Sequence, residues 1–333
     1  MNKALSRKIS YITFLGNIII FLEHANLNLL SSTSYLHTAI SLIDKIAVYA
    51  MLWFFFITAY LYYLNYNKLD DFKYKLKKRI YTLLIPYFIW NTIGMLLHYI
   101  SGDYNNMNFF EIFRNSYIFY NGYGCANGPL WYIARLFTYF AISPLLYMIF
   151  EKKSSFKFII IEALLIIINI IFKFNNYSFF YFLPFFICGC YISLHNQDLL
   201  TDNKNSKQKT IIILIILTLF SYVSKISNNI AINYLHNVFS MCLIIILVRN
   251  IHFNNKPSYW IMNSGMFIYC SHDIIFRTIR YFLFKLPISF NEIVQILYIL
   301  VSGTSIVCIY WVLYLYFPKT LNLLCGGRNQ RKL

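Results

Sequence analysis

His24 stands near the end of the first apolar stretch, beside Glu23 and after Thr13 and Asn17. An imidazole titrates near 6.5, so it can accept a hydroxyl proton at neutral pH. Eleven helical residues at about 100° each finish about 20° from three full turns, and seven finish about 20° from two. Thr13, Asn17 and His24 therefore share one face over about 16 Å of axis, and Glu23 projects about 100° away. A polar stripe among Ile, Leu and Phe faces protein or water rather than lipid. Two readings stand: a base for hydroxyl chemistry, or a histidine hydrogen-bonded near an interface.

A second polar set lies late in the chain at Ser264, Gly265, Tyr269, Ser271, His272 and Asp273. Gly265 precedes His272 by seven residues, on nearly the same face, where another helix could approach closely. This is either a packing seam with a polar cap or a place where His272 touches substrate. Asn127-Gly128-Pro129-Leu130-Trp131-Tyr132, with Arg135 following, forces a turn before a helix starts. Trp131 and Tyr132 are either interface-belt residues or a stacking platform for a sugar. Lys75-Leu76-Lys77-Lys78-Arg79 is a basic collar. It either marks topology and binds anionic lipid, or grips the phosphates of a charged donor.

The elements that carry these residues follow from composition. The chain has 333 residues, 59% hydrophobic and 12% charged, with a mean hydropathy of +0.55. A soluble domain carries about 25% charge. Soluble enzyme, disordered chain, collagen and disulfide scaffold fit poorly. The expectation is an all-α polytopic membrane protein of about ten transmembrane helices in one bundle. The apolar stretches are about 9–29, 43–64, 80–100, 129–149, 156–172, 178–194, 210–224, 231–249, 258–283 and 291–317. The first follows Lys3, Arg7 and Lys8 but lacks a small-residue cleavage site, so it is expected to remain as a span.

Basic residues orient the spans. With the N-terminus in the cytoplasm, 21 of the 29 Lys and Arg fall in inside segments. Both termini are then cytoplasmic, with a short C-terminal tail at about 318–333. The net charge of +17 is explained this way, without nucleic acid. Arg277, Arg280 and Lys285 cluster against the rule in the last outer loop, unless those charges serve a site. The outer loop at about 101–128 is the longest polar stretch and a candidate lid. One domain, 1–333, is expected. The seven scattered Cys suggest neither metal nor disulfide framework. There is no Walker loop, dinucleotide glycine fingerprint, Gly-x-Ser-x-Gly elbow or His-Glu-x-x-His.

Taken together, these pieces resemble the integral-membrane acyltransferase family (acyltransferase type 3), which includes bacterial glycan O-acetyltransferases. In order they are Ile18-Ile19-Ile20-Phe21-Leu22-Glu23-His24-Ala25, Phe54-Phe55-Phe56-Ile57-Thr58-Ala59-Tyr60-Leu61, and Lys77-Lys78-Arg79 with Leu83-Leu84-Ile85-Pro86-Tyr87. Then come Gly128-Pro129-Leu130-Trp131-Tyr132 with Ser143-Pro144-Leu145-Leu146, Phe182-Leu183-Pro184-Phe185-Phe186 with Gly189, and Ser264-Gly265-Met266-Phe267-Ile268-Tyr269-Cys270-Ser271-His272. Thr13 stands where many members carry Arg, Thr58-Ala59 where the family reads Ser-Gly, and Arg135 one position later than the family's Arg.

The resemblance implies transfer of an acyl group, acetyl from acetyl-CoA, to a hydroxyl of a surface or envelope glycan. His24 would be catalytic, as general base or transient acyl carrier. Asn17, Trp131, Tyr132, Arg135 and His272 would hold the acceptor, a surface glycan or lipid-linked saccharide, and Lys78 and Arg79 the donor. Acetyl-CoA is then a co-substrate, with no permanently bound cofactor or metal. The expected location is the cell membrane, with lipids as further partners. Two other classes fit the chain: a transporter or flippase for a lipid-linked glycan, and a non-catalytic subunit of a polysaccharide synthesis complex.

Overall fold

The computed structural model describes residues 3–25, 35–64, 66, 71–120, 124–201, 207–226, 229–251, 259–287 and 291–327. Among them the chain is helical, with no strand. Its helices are α1 (Lys3–His24), α2 (Tyr35–Tyr63), α3 (Asp71–Arg79), α4 (Ile85–Ser101), α5 (Phe109–Tyr117), α6 (Trp131–Ala141) and α7 (Ser143–Phe150). There follow α8 (Ser155–Phe172), α9 (Leu183–His195), α10 (Lys207–Ile226), α11 (Ile230–Asn250), α12 (Tyr259–Leu283), α13 (Glu292–Tyr316) and α14 (Pro318–Leu324).

Every one of the ten apolar stretches carries a helix. A π-helical turn, Ile80–Leu84, fuses α3 and α4 into one run, Asp71–Ser101. Among the described residues, by length and composition, six helices can cross a membrane, or seven if the bent pair α6–α7 is one span. α9 is shorter, and α12 is 25 residues long but carries Asp273, Arg277 and Arg280. The 101–128 stretch, expected as a loop, holds α5. Its capping box has the Asn108 side chain accepting from the Glu111 N–H and Glu111 accepting from the Asn108 N–H. The C-terminal tail starts as a helix, α14, whose Leu324 carbonyl accepts from Trp90 Nε1 at 3.1 Å. Lys68, Lys204, Lys256, Arg328, Arg331 and Lys332, used in orienting the chain, lie outside the described residues.

The chain divides into two compact units: 1–16, 42–75 and 136–258, and 17–41, 76–135 and 259–333. The first is built on aromatic packing. Phe55 stacks on Phe182 at 4.6 Å between ring centroids, and Phe186 meets Tyr139 at 5.1 Å. Its backbone polar groups are closed internally, as a bilayer requires. Pro144 cannot donate to the Phe140 carbonyl, and the chain bends by 51° between α6 and α7. Ser143 Oγ replaces the missing donor at 2.7 Å, and Tyr63 OH donates to the Ser143 carbonyl at 2.8 Å. Lys75 Nζ caps the end of α2, donating to the Tyr62 and Leu64 carbonyls.

The second unit joins the end of α1 to α4, α5, α12, α13 and α14. Gln295 Nε2 donates to the Ala25 carbonyl just past α1, at 2.7 Å. Tyr298 OH of α13 donates to the Phe276 carbonyl of α12 at 3.1 Å.

In the first unit α9 lies so close to α2 that a Cβ on Gly189 would sit 2.2 Å from the Phe56 carbonyl oxygen. That neighbour is backbone and cannot step aside. Gly189→Ala should destabilise the detergent-solubilised protein by about 1–3 kcal/mol. An unchanged thermal midpoint would show that the two helices can separate freely.

Candidate functional site

His24 ends α1, its side chain 36% exposed, and Glu23 Oε2 lies 4.0 Å from its Nε2. Its ring faces that of His272, with centroids 5.0 Å apart. Seven residues earlier on each helix, a Cβ at Gly265 would lie 2.8 Å from Asn17 Nδ2. The glycine therefore admits Asn17, as the expected close approach requires, and α1 is the helix that approaches. Both pairings advance in the same sense, so α1 and α12 run parallel. Phe21 on Phe276 at 4.8 Å continues the seam.

His272 is 1% exposed. Its Nδ1 lies 3.0 Å from the Ile268 carbonyl, which can only accept. Nδ1 therefore carries the hydrogen and Nε2 the lone pair. That Nε2 is buried and has no hydrogen-bond partner among the described residues. Asn127 repeats the situation. Its Nδ2 donates to the Cys270 carbonyl at 2.7 Å and its backbone N–H to Asn91 Oδ1 at 3.1 Å, while its Oδ1 is buried and unpartnered. Two orphaned acceptors, on α12 and on the turn before α6, await donors.

Asp273 and Arg277 lie within electrostatic reach of His24. Asp273 Oδ2 accepts from Arg277 Nε at 2.9 Å and from the Gly128 N–H at 3.3 Å. Arg277 Nη1 contacts His98 Nε2. The same Nε2 lies 3.2 Å from the Ala126 carbonyl, and His98 Nδ1 lies 2.7 Å from Asp103 Oδ2, to which it donates. Asp103 reaches His98 because Gly102, at φ 87°, turns the chain back over the end of α4. Hydrogen bonds from His98 and Ser101 hold the Asp103 carboxyl below its usual pKa. Its contribution to stability is present above the ordinary carboxylate range and disappears as pH falls through the lowered value.

Other expected residues sit around this centre. Tyr132 is buried edge-on against Tyr269, with centroids 5.9 Å apart, and Tyr269 OH donates to the Pro129 carbonyl. Trp131 neighbours Phe119 at 6.2 Å. The Arg135 guanidinium is buried over the Phe119 ring at 5.2 Å. Lys78 is exposed and Arg79 half-buried at the end of α3. Twenty residues of helix separate Lys78 from His98, about 30 Å at 1.5 Å each, the thickness of a bilayer core.

A cavity of about 950 Å³ is bounded by α5, the end of α4, Gly128 and Arg277, and Arg277 links it to the His24 centre. Cys125 lines it, but burial pushes its thiol up to about 11, so it is protonated and weakly nucleophilic at neutral pH. Gly124, at φ 91°, holds the cavity floor, where a Cβ would lie 1.7 Å from the Ile118 carbonyl oxygen.

Residues 13–315 match the family model of the acyltransferase domain Acyl_transf_3. The chain belongs to the acyltransferase 3 family. It is a multi-pass membrane acyltransferase. No curated protein and no solved structure matches it. Asp273 was visible in the sequence as part of the second polar set, and Arg277 only as a charge out of place. His98, Asp103 and Arg114, the last a cavity residue of α5, gave no signal by spacing, because a reversed turn and distant helices bring them in.

Asn127 ties the turn before α6 to both α4 and α12. Asn127→Ala should cost about 1–3 kcal/mol in thermal stability, the range for a buried hydrogen bond lost. A variant as stable as the parent would mean that Pro129 and Gly128 alone hold the turn.

Proposed function

We propose that this acyltransferase moves an acetyl group from acetyl-CoA to a hydroxyl of a cell-surface or envelope glycan, with His24 as general base. The observation that supports this most is the pair of buried acceptors, His272 Nε2, whose ring faces His24, and Asn127 Oδ1, on the turn bonded to α12. Sugar hydroxyls are donors that such acceptors satisfy. His272 and Asn127 then orient the acceptor, and Asn17 steadies α1 against Gly265. His24 takes the proton as the hydroxyl oxygen attacks the thioester carbonyl. The carbon–sulfur bond breaks, and the proton passes to the departing CoA thiolate. A hydrophilic sugar reaches the pair through the adjoining cavity, with Trp131 and Tyr132 behind the Gly128–Pro129 turn. Arg135, buried over Phe119, supports that wall.

Lys78 and Arg79 bind the donor's phosphates in this reading. They lie near the other end of the α3–α4 run, so the acyl-bearing arm extends into the thickness of the membrane. Kinetics on purified protein with labelled acetyl-CoA test both assignments. His24→Ala should lower kcat about 10²–10⁴-fold, and His24→Gln nearly as much. His272→Ala should be milder. The ascending limb of the pH–rate profile should vanish in the His24 variants. Neutralising Lys78 and Arg79 should raise KM for acetyl-CoA about tenfold to a hundredfold, with kcat retained. Near-normal transfer by His24→Gln at equal membrane level would make His24 structural. An unchanged KM would return the collar to topology marking.

We also place the chain in the cell membrane with both termini cytoplasmic. The parallel course of α1 and α12 fits a map in which they are the first and ninth of ten spans, and the basic residues of the inside segments support the side. In a Cys-free background, Asn105→Cys should react with an impermeant thiol reagent on intact cells, and Lys153→Cys only after lysis. The reverse pattern would invert the map.

A further inference from the structure

The 950 Å³ cavity has a charge pattern that sugar hydroxyls do not need. Arg114 and Arg277 line it, and no Asp or Glu does. The nearby carboxylates are committed elsewhere. Glu111 closes the α5 capping box, Asp103 accepts from His98 and Ser101, and Asp273 accepts from Arg277 Nε and the Gly128 N–H. Arg277 is held from two sides, at Nε by Asp273 and at Nη1 by His98. Its Nη2 lies on the Gly128 side, 3.8 Å from where a Cβ would stand. Gly128 also lines the cavity. Arg114 is exposed on α5 and has no partner for its guanidinium among the described residues.

The rim differs in kind. Phe110, Ile118 and Tyr120 line the same cavity and are themselves 69%, 48% and 72% exposed. Phe109 and Phe113 extend this apolar surface along α5. α5 packs on α4, whose Leu96, Tyr99 and Ile100 are also exposed, near the end of a helix that crosses the membrane. An amphipathic helix so placed lies in the membrane surface. A fixed, forked cation inside an apolar rim matches a phosphate ester carried on an aliphatic chain. Arg114 can pair with phosphate in bidentate fashion and Arg277 adds its remaining Nη2, while the chain continues onto the apolar face.

We propose that this cavity binds the phosphate of a membrane-borne, aliphatic phosphate ester, with Arg277 and Arg114 as its ligands and Phe110, Ile118 and Tyr120 against the chain. The proposal rests on the reading of the His24 centre as the acyl-transfer site, for which it names the acceptor class: a glycan still attached to its lipid phosphate. A membrane phospholipid carries the same chemistry.

Binding without any acyl donor tests this independently of catalysis. Farnesyl phosphate, dioctanoyl phosphatidic acid, farnesol and inorganic phosphate would each be titrated into the detergent-purified protein, with affinity read by native mass spectrometry. At least one of the two lipid phosphates should bind, and the tighter of them identifies the isoprenoid or the diacyl source. Arg114→Gln and Arg277→Lys should each weaken it about tenfold to a hundredfold. Arg114 is exposed, so its variant keeps the fold, and unaltered thermal midpoints would certify both. Farnesol binding as tightly as farnesyl phosphate, or an unaltered affinity in Arg114→Gln, would overturn the phosphate site. Inorganic phosphate binding as tightly as the lipids would overturn the apolar half. Loss of acetyl transfer with lipid phosphate binding intact would count against the proposed chemistry and leave this site standing.

Discussion

An aspartate and an arginine one helical turn apart hold the second unit's polar interior together. Charges in an apolar surround are tolerated when they are paired and hydrogen-bonded. The Asp273–Arg277 pair meets that condition and uses its spare groups as connectors. Asp273 receives the Gly128 N–H, so the turn before α6 is fixed to α12. Arg277 reaches His98, so the end of α4 is fixed there too. His24 and His272 then sit beside a pair whose net charge is zero. Arg277 alone would oppose the imidazolium that forms when a base takes a proton. Asp273 offsets it.

The first unit solves a different problem, that of backbone groups in a membrane. Proline at 144 breaks a helix that would otherwise be continuous, and a serine hydroxyl and a tyrosine hydroxyl close the gap. Around them Tyr62 stacks on Phe140, and Phe186 packs edge-on against both Tyr63 and Phe140. Gly189 removes the last obstacle to close contact between α2 and α9. The same device recurs in the second unit, where Gly265 admits Asn17. In both places a missing side chain, rather than an added one, brings two helices together.

Hydropathy made the helices legible, because a lipid-facing segment must be apolar whatever it packs against. All ten apolar stretches carry a helix, and the faces of α1 and α12 followed from spacings of seven. What spacing could not show is that the two faces meet each other, and in the same direction. α5 was missed although Asn108 and Glu111 spell a capping box. Its nine residues are amphipathic, but they make only about two and a half turns inside a long polar stretch. His98 was missed for a different reason. Its partners are Asp103, returned by the left-handed Gly102, and Arg277, 179 residues away. Contacts of that kind belong to tertiary structure and leave no local pattern.

Acceptors and cations are kept apart in this site, and the separation bears on mechanism. The lone pairs of His272 Nε2 and Asn127 Oδ1 suit hydroxyl donors. The guanidinium groups of Arg114 and Arg277 suit an anion, and both line the cavity. A substrate that used both would enter with its charged end on the arginines and a hydroxyl on the histidine pair. Its orientation would be set by charge before any sugar-specific contact formed. Cys125, in the same cavity, holds its proton at neutral pH, so the thiol does not compete for the acyl group. Under the proposed chemistry the nucleophile is then a hydroxyl activated by imidazole, a base whose ordinary titration range spans neutrality.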